Sequence, residues 1–209
     1  FSERGIPVFN TPGANANAVK ELVAAAMLLA SRDIVGGIAF AQSQDPGMSA
    51  QAMNALMEQE KKRFAGAELA GKTLGVVGLG AIGSLVARLG LDFGMEVVGF
   101  DPALSVEATW LLPSEVQRME NVQSLFSRSD FVSLHLPVLD STRGLINAEM
   151  LGHFRKESCL LNFAREEIVS TEAIVAALDA GQLRCYVADF HSPLLMGRSD
   201  ALLMPHIGA

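Results

Sequence analysis

The chain has 209 residues, half of them hydrophobic and 19% charged, which supplies ample apolar material for one packed globular unit and excludes general disorder. Sixteen Lys plus Arg against 23 Asp plus Glu leave a formal charge of −7, which argues against non-specific attraction to nucleic acid or an anionic membrane; any anionic ligand has to be held locally. Apolar runs such as residues 22–30 fall far short of the roughly 20 residues a bilayer span needs, and no cationic signal region precedes them, so the expectation is a soluble, cytoplasmic protein.

In chain order, the turn formers Asn10, Thr11, Pro12 and Gly13 precede a nearly uncharged helical run, Ala16–Ser31. A helix apolar on most sides wants a partner surface, and a subunit interface is the expected one. Residues 42–62 read as a loop around Asp45-Pro46-Gly47 and a surface helix, with Lys61, Lys62 and Arg63 as a solvated face. From Thr73 onward, strands are predicted at 74–77, 96–100, 131–136, 159–163, 184–189 and 202–204, with helices at 81–92, 121–127, 147–154 and 171–180. This alternation defines an α/β fold with a parallel sheet covered on both faces. Cys159 and Cys185 sit in apolar runs and read as buried, reduced thiols rather than a disulfide or a metal pair.

The first of these strands, residues 74–77, runs directly into Gly78-Leu79-Gly80-Ala81-Ile82-Gly83 and then a helix. A lone GxGxxG pattern carries little weight, but strand, tight turn and helix start is the context its physics requires. Gly78 allows the turn, Gly80 lets the backbone approach a pyrophosphate, and Gly83 lets helix and strand pack closely, while free N–H groups at the helix start attract the anion. Asp101 follows the next strand, where a carboxylate accepts from the adenosine ribose hydroxyls and repels the extra phosphate of NADP. With no basic neighbour before Pro102, NAD is the expected cofactor, in a Rossmann-type doubly wound parallel sheet.

Polar residues also end the later strands: His135 before Leu136-Pro137, Arg165 after Asn162-Phe163-Ala164, Asp189, and His206 after the last strand. Strand ends form the ligand edge of such sheets. Arg165 and His206 suit carboxylate binding and proton transfer and share that edge, so they are the catalytic candidates. His135 reads as a satisfied strand-end histidine, Asp189 as either a cap or a functional acid, and His153 and His191 as surface residues.

Together these segments make the chain resemble the D-isomer-specific 2-hydroxyacid dehydrogenases. The resemblance rests on Phe9-Asn10-Thr11-Pro12-Gly13, the Gly71–Gly83 run, Phe100-Asp101-Pro102, Thr142-Arg143-Gly144-Leu145-Ile146-Asn147, Leu161-Asn162-Phe163-Ala164-Arg165 and Pro205-His206-Ile207-Gly208-Ala209. It implies hydride transfer between NAD and a 2-hydroxy acid, with the proton handled at the His206 position and the substrate carboxylate held at the Arg165 position. Contacts to NAD are implied at Gly78, Gly80, Ala81, Ile82, Gly83, Asp101, Leu136, Pro137, Phe163, Ala164, Arg165, Asp189, His206, Gly208 and Ala209. It further implies a homodimer through the helix after Asn15, and a single nucleotide-binding domain, residues 1–66 leading and 67–209 forming its core. The substrate domain is expected to be absent, the chain being a piece of a longer polypeptide.

Two departures from that pattern stand out. The family has a glutamate five residues after the position of Asp189, paired with the histidine; here that residue is Leu194, which puts the proton-transfer step in question. Arg165 is followed by Glu166 and Glu167 instead of glycine, and an acid there is able to compete with an anionic substrate. An NAD-binding module without catalysis, serving assembly or regulation, is therefore the rival expectation, and a dehydrogenase for another 2-hydroxy acid a third.

Overall fold

A computed structural model describes residues 13–105 and 112–208. Its strands are β1 (Thr73–Val77), β2 (Glu96–Phe100), β3 (Gln117–Arg118), β4 (Phe131–Leu134), β5 (Ser158–Asn162), β6 (Leu183–Ala188) and β7 (Ala201–Leu203). They form one parallel sheet in the order β3-β2-β1-β4-β5-β6-β7. Every residue of β1, β4 and β5 is buried, which is why these strands read as continuous apolar runs rather than alternating ones.

The helices are α1 (Ala16–Ser31), α2 (Ile34–Gln42), α3 (Ala50–Glu60), α4 (Ala81–Asp92), α5 (Val122–Arg128), α6 (Ala148–Leu151) and α7 (Thr171–Asp179). On one face of the sheet, Val23 and Met27 of α1 and Val86 of α4 pack with Leu74, Val76 and Leu161. On the other, Leu125 and Phe126 of α5 and Ile174 of α7 pack with Leu134 and Leu160. Side-chain caps start α5, α6 and α7: Asn121, Asn147 and Ser170 accept from the backbone N–H groups of Ser124, Met150 and Ala173, each worth about 1 kcal/mol. Helix α4 differs, because its N-cap is Gly80 and no side chain caps it.

The apolar circumference of α1 finds its partner inside the chain. Ala16, Val19, Val23, Ala26, Met27 and Ala30 are buried, and α1 lies against α4, β5 and β6. The burial that pointed to a subunit interface is therefore supplied largely by the sheet and α4. Helix α2 went unforeseen; it begins at Asp33, whose side chain accepts from Gly36 N, and buries none of its residues. Strand β3, a two-residue edge beside β2, was also unforeseen. The strand predicted at 131–136 ends at Leu134, so His135, Leu136 and Pro137 belong to the following loop; those predicted at 159–163, 184–189 and 202–204 each sit one residue earlier, the first strand starts one residue earlier, and 96–100 is as predicted. Cys159 and Cys185 are free and buried, in register on neighbouring strands. Among the described residues, no single helix is long and apolar enough to cross a membrane.

The strand order reverses between β1 and β4, the topological switch point beyond whose C-terminal strand ends such sheets bind ligands. The glycine turn leaves β1 there, and the loop of His135 leaves β4.

Candidate functional site

The backbone of the turn is shaped by contacts that only glycine permits at two positions. Gly78 has φ +89°, and a Cβ on it would sit 2.5 Å from the His135 carbonyl oxygen; a Cβ on Gly83 would sit 1.8 Å from the Gly78 carbonyl oxygen. Gly80 is different, since a Cβ there meets nothing within 4 Å. Open space above an uncapped helix start, with Ala81 exposed and Ile82 half-buried beside it, leaves first-turn N–H groups available to an anion.

Asp101 stands across this turn. Its Oδ2 accepts from the Leu79 N–H at 2.8 Å and its Oδ1 from the Ala103 N–H at 2.9 Å. A carboxylate offers about four lone-pair sites, so Asp101 both braces the loop and keeps acceptor capacity for hydroxyls. Beside it lies a pocket of about 240 Å³ lined by Leu79, Leu104, Leu112, Pro113, Val116 and Arg118. Arg118 was not anticipated. No cation neighbours Asp101 in sequence, but pairing of β3 with β2 sets Arg118 opposite Gly99, and nothing in the short run around it marks a strand.

On the far side of the turn, Ile82, Leu136, Pro137, Phe163, Ala164 and Arg165 line a cleft of about 440 Å³ together with His135. Nε2 of His135 lies 2.8 Å from Ser133 Oγ, and its Nδ1 is buried without a partner. Burial pushes its pKa down to about 3, so His135 is a neutral imidazole at physiological pH and no proton donor. Asn162 ties the next loop: its Nδ2 donates to the Arg165 carbonyl at 3.0 Å and its Oδ1 accepts from Ala164 N at 3.2 Å. Arg165 itself is exposed and donates to the Ala164 carbonyl at 2.6 Å. Among the described residues it has no ion pair with Glu166, Glu167 or any other carboxylate.

The ends of β6 and β7 bring Asp189 and His206 together. Met204 N donates to the Ala188 carbonyl at 2.8 Å, which holds the two exits side by side. Nδ1 of His206 lies 3.2 Å from Asp189 Oδ2, and the Phe190 ring stands 5.4 Å from the imidazole. Asp189 is 4% exposed, whereas Leu194 is 55% exposed. Burial raises the Asp189 pKa against the opposing pull of His206, the Asp189 backbone hydrogen bond, Arg165 and His191. His153 and His191 are exposed, as expected of surface residues. Gly208 is buried, a Cβ on it falling 3.2 Å from Val19, and Asn15 Nδ2 reaches its carbonyl at 3.5 Å. Ala209 and residues 9–12 of the resemblance lie outside the described residues.

An α/β sheet with a glycine turn, an uncapped helix start and an acid after β2 at its switch point defines a dinucleotide-binding domain. The chain belongs to the D-isomer specific 2-hydroxyacid dehydrogenases, and the family model of their NAD binding domain matches residues 25–208. It is 34% identical to D-3-phosphoglycerate dehydrogenase of Methanocaldococcus jannaschii, covering 100% of this chain and 38% of that protein. It is 36% identical to hydroxypyruvate reductase of Thermotoga maritima, covering 99% and 64%. Among solved structures, D-mandelate dehydrogenase of Rhodotorula graminis superimposes with a TM-score of 0.81 at 29% identity, covering 99% of this chain and 60% of that one. The chain thus spans between about a third and two thirds of the length of these relatives.

Proposed function

We propose that this chain is the cofactor-binding part, with residues 67–209 as its core, of an NAD-dependent oxidoreductase acting on a 2-hydroxy acid of the phosphoglycerate type, in serine biosynthesis. The observation that carries the reading is the convergence of Arg165, Asp189 and His206 on the same sheet edge as the Gly78–Gly83 turn. The residues fit the cofactor. Open space at Gly80 beside uncapped N–H groups suits a pyrophosphate, the remaining acceptor sites of Asp101 suit ribose hydroxyls, and the clefts of about 240 and 440 Å³ flank the turn on both sides. Ile82, Leu136, Pro137, Phe163 and Ala164 wall the second cleft, and Gly208 lies two residues beyond His206; Ala209, the remaining implied contact, lies outside the described residues. When bound, NAD supplies the hydride chemistry.

The chain's own groups handle the acid. Arg165, exposed and free of carboxylate partners among the described residues, binds the substrate carboxylate through its guanidinium fork. His206 takes or returns the hydroxyl proton at its ring nitrogen. A module without catalysis is the reading favoured by Leu194 alone, but the carboxylate beside His206 argues for chemistry. The relatives act on different acids by name, and identity favours none strongly. The test is NADH oxidation by the natural polypeptide carrying this chain, with phosphohydroxypyruvate, hydroxypyruvate and glyoxylate supplied separately. Phosphohydroxypyruvate is expected to be preferred; NADH binding without oxidation of any of them would favour the silent module.

Assembly belongs to the same proposal. In the described part of the leading segment, residues 13–66, Val35, Ile38 and Leu28 are 61%, 53% and 40% exposed, and a twofold contact between copies covers such apolar surface. Light scattering should report a dimer that Val35→Glu converts to monomer, whereas a monomeric parent chain would refute it.

A further inference from the structure

We infer that Asp189 is the positioning carboxylate for His206, in the place left empty by Leu194; this rests on the reading of His206 as the proton-transfer group. The juxtaposition is built by the sheet. Asp189 is the first residue beyond β6, His206 lies three residues beyond β7, and Ala188 pairs in register with Leu203. Phe190 flanks the ring on one side while Asp189 Oδ2 meets Nδ1 at 3.2 Å. Asp189 Oδ1 is buried and has no hydrogen-bond partner among the described residues. Among the described residues no other carboxylate lies within ion-pair distance of His206, and Leu194 carries its side chain into solvent.

The chemical consequence follows from what a carboxylate accepts. Facing an ionised acid, the neutral imidazole places its proton on Nδ1, which leaves the lone pair on Nε2, the nitrogen available to a substrate hydroxyl. An imidazolium formed during turnover meets the same negative charge, and the ring is held in one orientation. The charged and titratable groups facing Asp189 are His206, Arg165 and His191, with Tyr186 on the preceding strand β6. Of these, only His206 is within contact distance of its carboxylate.

Nitrogen-15 NMR of the imidazole in the 209-residue chain, without cofactor or substrate, reads the tautomer directly. At about pH 8.5, above the ordinary histidine range near 6.5, the parent chain should carry its proton on Nδ1 of His206. Asp189→Asn and the near-isosteric, acceptor-free Asp189→Leu should lose that preference and move toward the Nε2–H form that free imidazoles favour, while Leu194→Glu should leave the parent spectrum unchanged. Either Asp189 variant that retains a native thermal transition suffices. An Nε2–H parent spectrum, or a tautomer indifferent to both Asp189 substitutions, overturns the inference. In the natural polypeptide, Asp189→Asn should lower kcat about 100-fold or more with a smaller change in KM. Loss of the Nδ1–H preference in the Asp189 variants of a chain whose parent polypeptide oxidises no NADH supports the Asp189 assignment and refutes the dehydrogenase reading; an active polypeptide with kcat and tautomer indifferent to Asp189 does the reverse.

Discussion

The glycine turn and the edge formed by Arg165, Asp189 and His206, the two parts of the proposed site, are built in opposite ways. The turn is backbone, buried at Gly78 and Gly83 and open at Gly80 and Ala81, and its shape is enforced by contacts of its own chain, with Gly78 and Gly83 each closing on a carbonyl. The edge consists of side chains from three strand ends, two of them exposed, held by a few polar contacts. Substitution should therefore be costly to stability in the turn and nearly free at the exposed edge, where the loss is functional.

The largest effect is expected at Gly83. Gly83→Ala forces a Cβ against the Gly78 carbonyl, and overpacking of this kind should cost about 3 kcal/mol or more in chemical denaturation. Gly80→Ala in the same turn should shift stability by less than about 0.5 kcal/mol while weakening NADH binding roughly tenfold. Equal stability losses at the two glycines would erase the distinction between a packing glycine and a ligand glycine.

The support behind the turn should be pH-sensitive. Burial lowers the His135 pKa from 6.5 to about 3, so the folded state resists protonation that the unfolded chain accepts. His135 costs nothing above about pH 6.5 and withdraws stability as pH falls toward 3, by roughly 2–3 kcal/mol between about pH 7 and pH 4. Denaturation at a series of pH values should show that slope, and His135→Gln should flatten it; an unchanged slope would place the acid sensitivity elsewhere.

A smaller effect is expected at Asp101, which braces the turn and is proposed to meet the ribose. Asp101→Ala should weaken NADH binding about tenfold, or about 1.4 kcal/mol, and narrow the preference for NADH over NADPH, with Arg118 available to the extra phosphate. Fluorescence titration checks both, and equal affinities for the two cofactors in the parent chain would refute the preference. At the bottom of the scale, Arg165→Lys should change stability by less than about 0.5 kcal/mol because the side chain is exposed. Its effect should appear in KM for the acid, since a point charge replaces a bidentate fork.

Much of this was legible in the chain. The strand, the glycine spacing and the following helix in residues 73–92 are local features, and each has a physical requirement that few residue types meet. Residues 34–42 were not recognised, because a helix with no buried residue shows no clear amphipathic contrast. β3 was missed for a related reason: two exposed residues become a strand only because β2 offers a free edge. The apolar circumference of α1 states that burial is needed and is silent on what provides it; within the chain, α4 and the sheet cover much of it.

The sequence by itself determined the sheet class, the turn, the likeness to the 2-hydroxyacid dehydrogenases, and the placing of Arg165 and His206 after strands as candidates. Those follow from local periodicity and residue type. Tertiary structure alone decided that Arg118 shares a pocket with Asp101, that α1 is buried on α4, and that a carboxylate stands beside His206 despite Leu194. Each of these depends on which strands are neighbours, and strand order brings together residues as far apart as Asp189 and His206, whose pairing no spacing along the chain encodes.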